Sequence, residues 1–190
     1  EAGKVFQKMF YAELSKPENF SKTYPELKWV SFKSDEKNTF RIITWQVKNE
    51  NNIYQSYGYI QTAKGNLYEL QDKITTLAKD YEYEIMEPSN WYGALYYNIK
   101  ETQISNGTAY LLFGYDGYND QDRMKVIDVL SFDKDIPIFG AEIFKIKDGA
   151  RPDLKSRLLI DYSALANVNC NYNEGMEMIV HDFVQARMGV

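Results

Sequence analysis

At 190 residues the chain can hold one domain of ordinary size, or a domain with a small appendage, and it can bury a real core. A net charge of −5 with scattered basic residues gives no basic stripe for nucleic acid, and no apolar run approaches the roughly 20 residues of a membrane helix. One cysteine excludes an internal disulfide, and one cysteine with one histidine leaves structural zinc short of ligands.

Ala2 to Leu14 reads as a helix: Val5, Phe6, Met9, Phe10 and Leu14 share one face, and Pro17 stops it. Lys16 to Lys28 is polar and carries Pro17 and Pro25, so it reads as a connecting loop. Trp29 to Lys33 and Thr39 to Lys48 form a first hairpin around SDEKN, and the second arm is apolar on both faces in places, as a central strand is. Ile53 to Thr62 is a third strand, in which Gly58 marks a bulge or the close approach of another backbone. Leu67, Leu70, Ile74, Leu77 and Tyr81 are spaced for a short helix over Asn66 to Lys79. DYEYEIME fits strand or loop, and Pro88-Ser89-Asn90 is a break. Trp91 to Lys100 resumes as a strand, with Trp91, Leu95, Tyr97 and Ile99 on one face and Tyr92 and Tyr96 on the other.

From Thr108 to Val184, apolar and β-branched runs alternate with the turns DGYNDQD, DKD, KDGARPD and NEG. That punctuation means successive β-hairpins. For the last hairpin a three-residue loop, Asn173-Glu174-Gly175, puts glycine at the left-handed position. It pairs Tyr172 with Met176, Cys170 with Met178 and Val168 with Val180, joining apolar to apolar. This register sends His181 to the polar face, away from Cys170, and so forbids a Cys–His nucleophilic pair.

Candidate sites are few. The turn DGYNDQD offers Asp116, Asp120 and Asp122 as oxygen ligands of the kind calcium takes, although the spacing is not that of an EF-hand and Asp-Gly is also a turn signal. Asp128 inside VIDVL and Asp161 after LLI are strand carboxylates; acid–base work needs them within reach of each other, and a solvated strand face explains them equally. No glycine pattern cradles a phosphate. No HExxH or GxSxG motif is present, and no cofactor is expected. Among sixteen tyrosines, the set Trp91, Tyr92, Tyr96, Tyr115 and Tyr118 is the best binding candidate, since exposed aromatics stack on sugars or fill interface hot spots.

The strings WYGALYYNIK, YLLFGYDGYN, KVIDVLSF, PIFGAEIF, RLLIDYSALANVNCNYNE and MIVHDF together resemble a family of uncharacterised exported proteins, periplasmic or lipoprotein-type, of Gram-negative bacteria. The resemblance covers roughly Trp29 to Val184. It implies export to the periplasm or outer membrane after removal of a signal peptide, and it implies no activity.

The expected fold is mainly β, a β-rich α+β domain. An antiparallel meander of hairpins curls toward a barrel or partial propeller, with an N-terminal helix and one short middle helix. Residues 1–28 form the helix and connecting loop, and residues 29–190 the β-domain, in a single domain overall. The expected function is a non-enzymatic envelope module that binds a protein, peptide or glycan through exposed aromatics. The alternatives are a hydrolase using Asp128 and Asp161, or a structural part of an envelope assembly.

Overall fold

The strand FRIITWQVK sorts its side chains strictly by parity, and both resulting faces are covered. Phe40 and Ile42 point into one core, Ile43 and Trp45 into another, and all four are buried. A strand apolar on both sides needs a layer on each side, and the computed structural model, which describes residues 2–73, 80–148 and 151–183, supplies them.

The first sheet is an antiparallel meander of β1 (Ser31–Ser34), β2 (Phe40–Lys48), β3 (Tyr54–Thr62) and β4 (Leu67–Gln71). The second runs β11 (Leu158–Ser163), β7 (Asp122–Asp133), β6 (Gly107–Asp116), β5 (Leu95–Ile104). The outer edge of β7 is shared. Its first half pairs with β11, and its second half pairs with β8 (Ile136–Phe139) through a tight turn whose Lys134 and Asp135 both have positive φ. Helix α1 (Ala2–Leu14) lies on the outer face of the first sheet, with Phe10 and Leu14 buried against Ile43, Trp45 and Tyr59. The hairpins β9 (Phe144–Asp148) with β10 (Arg151–Lys155) and β12 (Cys170–Asn173) with β13 (Met178–His181) follow in sequence. Phe144 and Cys170 pack on the outer face of the second sheet. The inner faces of the two sheets enclose the main core, including Phe40, Ile42, Ile60, Tyr96, Leu112, Val126 and Leu130. The sheets approach at the β1–β5 side, where Tyr96 N–H donates to Thr44 Oγ1 at 3.0 Å and Ser31 Oγ donates to Tyr96 O. No ladder joins β1 to β5 among the described residues, so the barrel is not closed.

The mainly β, antiparallel architecture and the N-terminal helix are as expected. The helical stripe is broader than its burial, however: Phe10 and Leu14 are inside, while Val5 and Met9 stay exposed. Gly58 does mark a close approach, since a Cβ there would meet Ile43 O at 2.9 Å.

Three local expectations are corrected. Residues 67–71 of the expected middle helix form β4, because Gly65 at φ +93° turns the chain back along β3 and the hairpin then pairs Leu67↔Gln61 through Gln71↔Tyr57. Residues 74–79 of that helix lie outside the described residues. In β5 a bulge between Tyr96 and Asn98 shifts the parity, so Tyr97 packs on the outer core while Ile99 packs on the inner one. The last hairpin has a four-residue loop, Glu174 to Glu177, and pairs Cys170↔His181 and Tyr172↔Ile179. Its left-handed residue is Glu177, at φ 52°, and Asn173 Oδ1 accepts from Met176 N–H at 3.0 Å. Cys170, Tyr172 and Ile179 thereby join the outer core, at the cost of leaving Met178 and Val180 exposed. Burial of one face decided the register, not the number of apolar pairs.

Candidate functional site

The expected aromatic patch is not on the surface. Trp91, Tyr92 and Tyr96 are each 0% exposed. Their polar atoms are engaged inside: Trp91 Nε1–H donates to Tyr96 Oη at 3.1 Å, Tyr96 O–H donates to Asp128 Oδ2 at 3.2 Å, and Tyr92 O–H meets Met124 Sδ at 3.0 Å. Burial pushes both tyrosine hydroxyls well above their ordinary pKa. Tyr115 is half-buried with Lys125 Nζ 5.6 Å from its ring centre, and Tyr118 is exposed at φ 45° in the β6–β7 turn. The five residues therefore do not form one exposed surface. The reason is the two facing sheets, which place Trp91, Tyr92 and Tyr96 in the core between them.

The carboxylates are also dispersed. Asp128 is fully buried and bound by Arg157 Nε at 3.2 Å and Val129 N–H at 2.9 Å. Asp161 is exposed and sits opposite Met124. Four strand positions separate Met124 from Asp128, about 13 Å at the usual strand rise, beyond the spacing of a catalytic carboxylate pair. In the DGYNDQD turn, Asp116 is buried and accepts from Gln46 Nε2 and Tyr118 N–H, Asp120 pairs with Lys48 at 2.5 Å, and Asp122 faces Asn119. Among the described residues no three His, Cys, Asp or Glu side chains gather as a metal-holding group. Cys170 and His181 are opposite each other, contrary to the expected register, yet the thiol is buried and pushed up to about 11 by that burial, and His181 Nδ1 turns to Asp182 O at 3.0 Å. A thiol held protonated is not a nucleophile.

The cavity that does combine charge, aromatics and depth lies between β1, β2 and the loop after α1. Its volume is about 490 Å³, and Phe20, Lys22, Tyr24, Phe32, Ser34 and Arg41 line it. The loop is built by helix termination. Pro17 starts a 3-10 turn, and Asn19 Nδ2 donates back to Glu13 O at 2.8 Å. Arg41 then clamps the loop to the sheet. Its Nη2–H donates to Asn19 O at 2.6 Å, its Nη1–H to Lys22 O at 2.7 Å, and its Nε–H to Gln61 Oε1 at 2.8 Å. Gln61, directly opposite in β3, passes the connection to Leu14 O at the helix end.

The electrostatics of this cavity are unusual for an acidic chain. Arg41 is 5% exposed, and its three acceptors are neutral. Its five N–H groups make three hydrogen bonds, so two donors remain. Burial lowers its pKa, which a carboxylate partner would have opposed. The nearby Asp35 is occupied, accepting from Thr39 N–H, Thr39 O–H and Phe40 N–H. The guanidinium lies 5.9 Å from the Phe20 ring centre and 5.8 Å from that of Phe32. Tyr24, 8% exposed, stacks on Phe32, and among the described residues its hydroxyl has no well-formed hydrogen-bond partner, although it lies close enough to the Arg41 guanidinium for the two to interact. Lys22 is already paired with Glu13 at 2.5 Å. Sequence reasoning passed over Arg41, and the available signal was a cation inside the apolar run FRIITWQVK.

Comparison of the chain with protein-family models, curated proteins and solved structures finds no match in any of the three.

Proposed function

We propose that this protein is a non-enzymatic binding module whose ligand enters the cavity between β1, β2 and the loop 20–25. The observation that carries this reading is the buried Arg41 guanidinium, which lines a cavity with no carboxylate among the described residues to neutralise it. Charge taken from water without an opposite charge is costly unless a function retains it. Among the described residues the lining contains no histidine, cysteine, aspartate or glutamate, so its Ser21, Thr23 and Ser34 hydroxyls have none of these beside them in the lining to activate them. The resemblance to exported proteins supports a role in the cell envelope, where peptides and glycans are the available ligands.

The test is thermal-shift screening of the protein against short peptides and oligosaccharides, beside Ser34→Trp. Ser34 is exposed on the rim, so the indole fills the cavity while the fold persists. A ligand that raises the wild-type midpoint and leaves that of Ser34→Trp unmoved supports the reading, since binding to the native state alone stabilises it. A shift retained in Ser34→Trp refutes it.

A further inference from the structure

We infer that the group recognised in this cavity is a single carboxylate borne by a peptide. The inference rests on the proposed binding role and adds the chemistry of the ligand. Two adjacent features converge. Arg41 has two N–H donors to spare and no acidic partner. Tyr24, nine-tenths buried in the lining of the same cavity, carries a hydroxyl without a well-formed partner among the described residues. A buried polar group left unsatisfied costs free energy in the free protein. An acceptor that takes the Tyr24 O–H and the spare Arg41 donors together recovers that cost on binding. A carboxylate offers two oxygens in the plane that a guanidinium fork prefers.

The Glu13 carboxylate is shared by the Lys16 and Lys22 ammoniums, and the hydrogen bonds from Lys16 and then Lys22 hold it down at about 2. Lys22 is therefore only partly neutralised, and the choice of a carboxylate over a phosphate rests on the match of two coplanar oxygens to the spare Arg41 donors. The aromatic faces decide between peptide and sugar. Phe32 has Tyr24 stacked against it at 5.6 Å, and the Arg41 guanidinium stands near the rings of both Phe20 and Phe32. Each of these rings already has a partner within the protein, so a pyranose ring gains less stacking here than on a free aromatic platform.

Titration calorimetry with four probes tests this: N-acetylphenylalanine for a chain-terminal carboxylate, N-acetylglutamate amide for a side-chain carboxylate, N-acetylphenylalanine amide as the neutral control, and phenyl phosphate. One of the two carboxylates should bind at least tenfold more tightly than the neutral amide, and the tighter of them identifies the source. Phenyl phosphate should bind more weakly than that carboxylate. Tyr24→Phe should weaken carboxylate binding about tenfold, the loss expected for one charge-assisted hydrogen bond, without lowering the melting midpoint of the free protein. Equal binding of the neutral amide overturns the carboxylate assignment while leaving the binding role intact. Tighter binding of phenyl phosphate overturns the carboxylate assignment. Unchanged affinity in Tyr24→Phe overturns the role of its hydroxyl. Failure of every probe to bind overturns the inference, and the library screen with Ser34→Trp then judges the binding role by itself.

Discussion

The fully buried pair Asp128–Arg157 is the sharpest stability test in this fold. Both side chains are 0% exposed, and Nε lies 3.2 Å from Oδ1. At that distance the attraction in an effective dielectric of 20 is about 5 kcal/mol, before desolvation is charged against it. Arg157 Nη1–H also donates to Tyr81 O and to Glu84 O, tying the segment before Pro88 to the second sheet, whereas Nη2 has no partner. Asp128→Asn preserves shape but leaves a buried cation facing carbonyls and an amide. Arg157→Met strands the carboxylate and the two carbonyl oxygens. Each should cost about 3–5 kcal/mol, the usual result of removing one partner of a buried pair. The double variant should cost at least 2 kcal/mol less than the sum, because neither charge is then left alone. Urea denaturation with a common m-value measures all three. Single variants costing under about 1 kcal/mol, or costs additive within about 0.5 kcal/mol, would refute the reasoning.

Other predictions follow from the same packing. Burial raises the Asp116 carboxyl to about 6, with Gln46 and Tyr118 opposing the shift by hydrogen bonding. The native state thus holds this proton more tightly than the unfolded chain does, so stability should fall as pH rises from about 4 to 6. The two-unit difference corresponds to roughly 3 kcal/mol, and a comparison of wild type with Asp116→Asn across that range should show the slope vanish in the variant. Gly58→Val should destabilise by about 1–3 kcal/mol, since its Cβ would press on Ile43 O and Leu70; an unchanged denaturation midpoint would show that β2 and β3 can separate there. The Cys170 thiol, 2% exposed and raised to about 11, should react with a disulfide reagent at pH 8 only on addition of denaturant, and rapid native-state labelling would contradict its placement.

What could be read from the letters divides along physical lines. Helix α1 was legible because Phe10 and Leu14 repeat at helical spacing and Pro17 ends the run. The hairpins around Asn38, Lys134 and Gly117 were legible because their turn residues punctuate apolar runs. Strand β4 was misread because Leu67 and Leu70 satisfy helical spacing, while the pairing of Leu70 with Gly58 across β3 is tertiary. The turn at Gly65 carried the correct signal. Burial of Tyr92 and Tyr96 was hidden for a similar reason: a strand pattern reveals two faces but does not say that a second sheet covers one of them. The Arg41 cavity depends on contacts among residues 19–22, 41 and 61, which no local pattern joins.

The central claim is that the ligand sits on Arg41 and Tyr24. Nitrogen–proton NMR mapping during a titration with N-acetylphenylalanine tests it most directly. The account predicts the largest shifts at the backbone amides of residues 20–24, 32–34 and 41 and at Arg41 Nε–H, all moving along one binding curve. Shifts centred instead on the β6–β7 turn at Tyr118, or on the β12–β13 hairpin, would contradict it.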